Sequence, residues 1–359
     1  MINRSTHFST PGGDTVQIEN TAEFLRKLGI EVEIKLGSAR VDYTAYDLIH
    51  FFNITRPANI LPHIRRAKIP FVVSTIFVDN EEYELSKNRG LRRIVRKAVT
   101  SDFVEYIKVV ARRLKNNEPV GSFRYLIFGH RDAIKSILRR ASMLLPNSES
   151  EYNRLVSKYN FSAYYTVIPN AVNATIFTEN VRPNPAFNNG VICVARIEGK
   201  KNQLNLINAM KGLKLKLFII GKPSPNHIGY YKKCQEIAGP NVTFIDHIAQ
   251  KELPAIFKAA RVHVLPSWFE TTGLSSLEAA AMGCNIVISD KGDQREYFKD
   301  FAFYCDPNDI ESIRNAVIRA FNAKNDHEFQ DYVINNYSWE KAAKKTLEAY
   351  RKVLNCKSS

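Results

Sequence analysis

The sequence predicts an α/β protein of two doubly wound domains facing a cleft, and three observations carry that prediction. Short apolar runs of strand length alternate with amphipathic stretches of helical period through both halves of the chain, as β–α–β units around parallel sheets require. The chain has 359 residues, and a typical domain takes roughly 150, so two domains fit. Finally, Val262 to Cys284 reads as strand, glycine turn and helix N-terminus, the ligand-holding junction of such folds.

The elements follow in order. Met1 to Thr10 has room for only a stub of a first strand, and Pro11-Gly12-Gly13-Asp14 is a tight turn. Ile18, Ala22, Leu25 and Leu28 share one helical face, predicting a helix over 15–28 that Gly29 stops. Val32 and Ile34 alternate with Glu31 and Glu33, predicting a strand. Asp47 to Phe52 and Pro70 to Thr75 are apolar enough for buried parallel strands, with a helix expected over 57–67 between them. Asp79 and Glu82 are candidates to serve an acceptor, although Glu81-Glu82 also reads as a solvated helix start. A helix is expected over 133–141, then the strand Met143 to Pro146, then a helix capped within Asn147-Ser148-Glu149-Ser150. The Pro- and Asn-rich segment 180–189 reads as a surface linker.

The later half repeats the pattern more clearly. Strands are expected at 190–195, 215–221, 242–248, 262–265 and 285–289, and helices at 204–210, 253–260, 309–321 and 339–354. His247 and His263 are lone histidines and read as core or surface residues.

Composition narrows the function classes. No apolar run approaches the roughly 20 residues a membrane helix needs, and Met1 to Thr10 is too polar for a signal peptide. The five cysteines (Cys193, Cys234, Cys284, Cys305, Cys356) are scattered without a C-x-x-C pair, as expected of reduced thiols in a cytoplasmic protein. The net charge is +15, and residues 87–140 hold 15 Lys+Arg against 4 Asp+Glu. Within that segment, 90–115 reads as two basic amphipathic helices, with Leu91, Ile94, Val95 and Ala98 opposite Arg92, Arg93, Arg96 and Lys97 in the first. An anionic membrane surface is the expected partner, at the inner face of the cell membrane. No nucleic-acid module or aromatic–basic platform accompanies the charge, so no nucleic acid is expected.

The candidate site lies in Leu265 to Cys284. Pro266 and Ser267 break the strand, Gly273 gives a turn, and a helix opens through Ser275 and Ser276 and closes at Gly283. Glu270 lies in the loop and Glu278 about one turn inside the helix, roughly 12 Å away at helical rise. A glycosidase pair needs about 5–9.5 Å, so two-carboxylate hydrolysis is disfavoured. Between the glutamates, the N–H groups of Gly273, Leu274 and Ser275 stand at a positive helix end, suited to phosphate. Hydroxyl-binding groups flanking a phosphate site describe a nucleotide sugar.

The spacing Glu270-x7-Glu278, with Gly273-Leu274 inside it and Ala281-Met282-Gly283 after it, resembles the signature of retaining GT-B glycosyltransferases of family 4. Other stretches share the resemblance. Gly12-Gly13 followed by the first helix is similar to the family's opening, where the glycine turn approaches donor phosphate and acceptor. Ile168-Pro169-Asn170-Ala171 resembles the interdomain crossing, although Ala171 replaces the usual glycine. Arg196 and Lys201 match the pair that holds the donor diphosphate, and Asp290 to Glu296 resembles a glycine turn ending in glutamate. Phe77 stands where relatives carry an acceptor-side histidine, so no catalytic histidine is carried over.

The resemblance implies a GT-B fold. Residues 1–169 would be an acceptor-binding domain, joined by the returning helix 340–359, and 170–339 a donor-binding domain. It also implies transfer of a sugar, with retention, from a UDP- or GDP-sugar to a saccharide or lipid-linked acceptor in cell-surface polysaccharide synthesis. Glu270 would hold the transferred sugar, Glu278 the ribose hydroxyls, and Ile248 the base by position. Arg196, Lys201 and Gly273 to Ser275 would stabilise the departing diphosphate. Cations answer the diphosphate charge directly, and no D-x-D pair occurs, so no metal is expected. A sugar-nucleotide epimerase and a non-catalytic subunit of the same fold are the alternatives.

Overall fold

The computed structural model describes residues 1–5, 7, 12–78, 83, 107, 123–178, 180–325 and 327–356. Apart from the single residue Ile107, the expected basic helices 90–115, together with Asp79 and Glu82, lie outside the described residues. The chain forms two compact units, Met1–Asn170 with Trp339–Ser359, and Ala171–Ser338.

The first unit is a parallel five-stranded sheet in the order β2-β1-β3-β4-β5. Its strands are β1 (Ile2–Asn3), β2 (Lys35–Leu36), β3 (Ile49–Phe52), β4 (Phe71–Ser74) and β5 (Met143–Leu144). The stub β1 sits inside the sheet, with Ile2 opposite both Lys35 and Phe51. The strand expected at 31–34 forms instead at Lys35–Leu36, in register with Ile2 and Asn3, while the Val32 carbonyl accepts from Arg26 rather than from a ladder partner.

Helix α1 (Gly13–Lys27) starts two residues earlier than the apolar pattern indicates. Gly12 is its N-cap, and the Gly12 N–H donates to Thr15 Oγ1 at 3.2 Å. The helix expected over 57–67 begins as a 3₁₀ turn, Pro57–Asn59, before α2 (Leu61–Arg66). The helix expected from 133 starts further back, as α3 (Phe123–Arg140), which breaks at Gly129 with φ +76°. Ser148 caps α4 (Glu149–Tyr159) by accepting from the Glu151 N–H at 3.0 Å. Phe77, in the place of the absent histidine, is a packing residue. Its ring is buried edge-on to Tyr159 at 5.9 Å, and its N–H donates to buried Glu151 at 2.9 Å.

The second unit is a parallel six-stranded sheet in the order β11-β10-β9-β6-β7-β8. The strands are β6 (Val191–Val194), β7 (Leu217–Ile220), β8 (Val242–Ile245), β9 (Val262–Leu265), β10 (Asn285–Ser289) and β11 (Phe303–Cys305). β7, β9 and β10 are buried along their whole length, as strands covered by helices on both faces must be. Helices α5 (Gln203–Met210), α6 (Ile228–Ile237), α7 (Leu253–Ala259), α8 (Leu274–Ala281), α9 (Gln294–Phe298), α10 (Ile310–Asn322) and α11 (His327–Asn336) complete the unit.

The last helix, α12 (Trp339–Asn355), belongs to the first unit and packs on α1. Its buried face is Trp339, Ala342, Ala343, Thr346, Ala349, Tyr350 and Val353. The Tyr350 hydroxyl lies 2.7 Å from His50 Nδ1, and Ser74 Oγ lies 2.8 Å from the other ring nitrogen, so a buried polar relay fastens α12 to β3 and β4. No helix among the described residues is long and apolar enough to cross a membrane.

Candidate functional site

In the second unit the chain leaves β6 toward β7 on one side, while β9 leads to β10 on the other. The loops following β6 and β9 therefore diverge above adjacent strands, the switch point at which open α/β sheets bind ligands.

The loop after β6 carries Arg196 and Lys201. Its backbone rests on Gly221, where a Cβ would lie 2.1 Å from the Ala195 carbonyl oxygen. Arg196 is half exposed, with Nη2 3.4 Å from Glu198 Oε1. Burial pushes the Glu198 carboxyl up, but Arg196, Lys201 and the Ser224 hydroxyl draw it below the ordinary value. A 3₁₀ turn, Gly199–Lys201, aims Lys201 back across the sheet before α5 begins.

The loop after β9 meets it. The Trp268 N–H donates to the Lys200 carbonyl at 2.9 Å, and Lys201 Nζ forms an ion pair with Glu270 Oε1. The Lys201 and Glu270 side chains are 21% and 11% exposed, so water screens the pair only in part. The Glu270 backbone is seated on the segment after β10. It pairs with Gly292, and its carbonyl accepts from the Asp293 N–H at 2.9 Å. Gly292 has φ +81°, and a Cβ there would stand 2.0 Å from the Glu270 oxygen, so only glycine fits.

Gly273 caps α8 with φ +75°, and Leu274 and Ser275 are its first two residues. Their N–H groups belong to the helix end that has no partner within the helix. Glu278, further along α8, is buried and accepts from Gln250 Nε2 at 2.6 Å. That bond ties α8 to the loop after β8, where Ile248 is half-buried. Glu270 and Glu278 thus have separate partners and are not a proton-sharing pair.

The structure brings Lys201, Glu270, Gly273, Leu274, Ser275 and Glu278 onto joined loops of one sheet, with Arg196 in the Lys201 loop and Ile248 in the Gln250 loop. Gly12 and Gly13 belong to the first unit, at the start of α1. Glu198, Ser224, Gln250, Gly221 and Gly292 were not singled out from the sequence as site residues. Gly292 lies in a turn that the sequence indicates, but the contacts of Gly221 with Ala195 and of Gly292 with Glu270 join distant segments. Among the described residues, no group of three His, Cys, Asp or Glu side chains is arranged to hold a metal.

Burial pushes the Glu278 carboxyl up to about 7, against the pull of its bond from Gln250. A carboxyl raised from an ordinary 4.5 to about 7 stabilises the fold fully below pH 4.5 and loses that contribution as pH rises through 7. The shift corresponds to on the order of 3 kcal/mol. Between pH 4.5 and 8, wild-type stability in urea is expected to fall by about that much relative to Glu278→Gln. Parallel pH profiles for the two proteins would contradict the assignment.

Residues 178–339 match the model of the family described as glycosyl transferases group 1. O-antigen chain mannosyltransferase B of Escherichia coli is 27% identical over 114 residues, covering 31% of this chain and 30% of that protein. The chain thus spans under a third of that relative's length. The structure of sucrose-phosphate synthase from Thermosynechococcus elongatus superposes with a TM-score of 0.73 at 16% identity, covering 99% of each chain. That of Anabaena HepE in complex with UDP and glucose gives 0.69 at 14%, covering 98% of each. At these identities the structural likeness is one of fold, and the fold is GT-B.

Proposed function

We propose, from a second unit that carries the glycosyl transferases group 1 family over residues 178–339, that this protein transfers a sugar from a nucleotide sugar to a saccharide or lipid-linked acceptor. The observation that supports the reading best is the Lys201–Glu270 pair at the β6/β9 switch point, beside the N-terminus of α8. A cation, a sugar-binding carboxylate and a helix end suited to phosphate adjoin there, which matches the polarity of a sugar diphosphate. The structure of Anabaena HepE was determined with UDP and glucose, in keeping with such a donor.

The chemistry follows from these groups. The bond from the anomeric carbon to the diphosphate oxygen breaks, and negative charge develops on the leaving group. Lys201, Arg196 and the N–H groups of Leu274 and Ser275 stabilise that charge. Glu270, oriented by Lys201, accepts from hydroxyls of the transferred sugar. Glu278 accepts from the ribose diol, a role that favours its ionised form and draws its pKa down when donor binds. The acceptor oxygen bonds the anomeric carbon on the face the diphosphate leaves, and a leaving-group oxygen takes the acceptor proton. Configuration is retained without a covalent intermediate, and the protein's cations make a metal unnecessary.

Acceptor selection belongs to the first unit, where Gly12-Gly13 opens α1. The surplus of positive charge in residues 87–140 supports docking at an anionic membrane surface, in cell-surface polysaccharide synthesis at the inner face of the cell membrane. The test is product analysis: nucleotide sugars are incubated with saccharide and lipid-linked acceptors, and products are followed by NMR. The expected result is release of nucleoside diphosphate with an unchanged anomeric configuration. Interconversion of the nucleotide sugar without release would identify an epimerase, and no turnover across donors and acceptors would identify a binding subunit.

A further inference from the structure

Several buried polar side chains of the second unit have no protein hydrogen-bond partner among the described residues. They include Ser267 Oγ, Ser276 Oγ and Gln294 Nε2. All three residues are fully buried. Ser267 and Ser276 lie at the two ends of the loop that carries Glu270 and Gly273. Gln294 opens α9 just after Gly292 and Asp293, the two residues on which Glu270 rests.

The geometry centres on Gly273. A Cβ at that position would stand 3.0 Å from Gln294 Nε2 and 3.4 Å from Ser276 Oγ. Glycine leaves that space open, and two polar atoms face it. The other end of the Gln294 carboxamide accepts from Ser289 Oγ at 3.3 Å. Turned either way, the amide presents one unpaired polar atom to the turn. An unpaired group is costly to bury, and each one retained in a native fold calls for a partner or a functional role.

We propose that Gln294 and Ser276 are positioning residues for the donor. When the diphosphate binds, the turn at Thr271–Gly273 settles onto them and its peptide groups become their hydrogen-bond partners. The bonds lock Glu270 and the first turn of α8 around the ligand. Binding energy is gained beneath the turn, at side chains that never touch the donor. The inference rests on the donor-site reading above.

The test compares wild type with Ser276→Ala, which removes one unpaired buried oxygen, and Gln294→Met, which removes the unpaired Nε2 together with the Oε1 that accepts from Ser289 Oγ. UDP, GDP and ADP are titrated, and melting temperature is followed with and without them. Ser276→Ala is not expected to lower the melting temperature of the free protein, whereas Gln294→Met is expected to lower it through the lost Ser289 bond. Each is expected to bind the preferred nucleoside diphosphate about tenfold more weakly, the worth of one hydrogen bond, and Ser276→Thr to restore affinity. Wild-type affinity in both variants overturns the proposal. So does a fall in the melting temperature of free Ser276→Ala with affinity kept, since that hydroxyl would then be internally satisfied, by water or by packing. If wild type binds none of the three nucleotides, the donor reading fails and takes this inference with it. If wild type binds and the variants bind equally, only the roles of Gln294 and Ser276 fall.

Discussion

Replacing Lys201 by alanine is expected to slow sugar transfer by roughly 10²–10³-fold, the usual effect of removing one preorganised group from a developing negative charge. Lys201 is the cation that the structure places against Glu270. On the proposed function, its loss would remove stabilisation of the departing diphosphate and also free the carboxylate that would orient the sugar. The ground state should suffer less than the transition state, because the diphosphate gains charge only as the anomeric bond breaks. The fall is therefore expected mainly in kcat, with a smaller rise in KM. Lys201→Arg keeps the charge and should recover part of the rate, limited by the different shape of the guanidinium. Steady-state kinetics on the three proteins checks this. A Lys201→Ala enzyme with wild-type kcat would remove the lysine from the chemistry.

Gly292→Ala is the second large effect. The added methyl would stand 2.0 Å from the Glu270 carbonyl oxygen, 2.9 Å from its carbon and 3.0 Å from its nitrogen. All three are backbone atoms, so relief requires the Glu270 loop to move. Backbone strain at φ +81° adds to the clash. A loss of about 2–5 kcal/mol in stability is expected from the two together. Donor binding should weaken by about a hundredfold, as a misplaced binding group does. Gly212→Ala is the matched control, since Gly212 has φ +75° but open space where its Cβ would go. It should cost only the strain, about 1–2 kcal/mol, and leave binding intact. Urea denaturation and nucleotide titration read both. Equal costs for the two substitutions would mean that Gly292 is an ordinary turn residue.

The second unit was more legible in the sequence than the first, for physical reasons. β9 and β10 are buried on both faces, so they appear as mostly apolar runs, Val262 to Leu265 with the single polar residue His263, and Ile286 to Ile288. The Gly273 turn and the Ala-rich end of α8 are local signals. The first unit relies on short elements: β1, β2 and β5 are two residues each, too short to impose a period. Glu31 to Ile34 alternates like a strand, yet the register with β1 pairs Lys35 and Leu36 instead. The pattern gives no signal for β11, α6, α9 and α11. Phe303–Cys305 is only half-buried over two of its three residues, and Cys234 is the only buried residue of α6.

Within the site, residue types and spacing indicated a diphosphate clamp, but contacts across the sheet were beyond them. Lys201 and Glu270 are 69 positions apart, and their pairing needs the β6–β9 adjacency. The glycine at 292 reads as a turn in any sequence, and its seat beneath Glu270 exists only in the fold. The unpaired atoms of Ser276 and Gln294 are equally invisible, since both residue types are ordinary at helix starts.

The central claim is that a nucleotide sugar is held at the β6/β9 switch point through Lys201 and Glu270. Isothermal titration of UDP- and GDP-sugars into wild type and Glu270→Ala tests it most directly. Wild type is expected to bind one of the donors, and the Glu270 variant to bind that sugar nucleotide at least tenfold more weakly while binding its nucleoside diphosphate nearly as before. Equal binding of the sugar nucleotide by both proteins, or no binding by wild type, would contradict it.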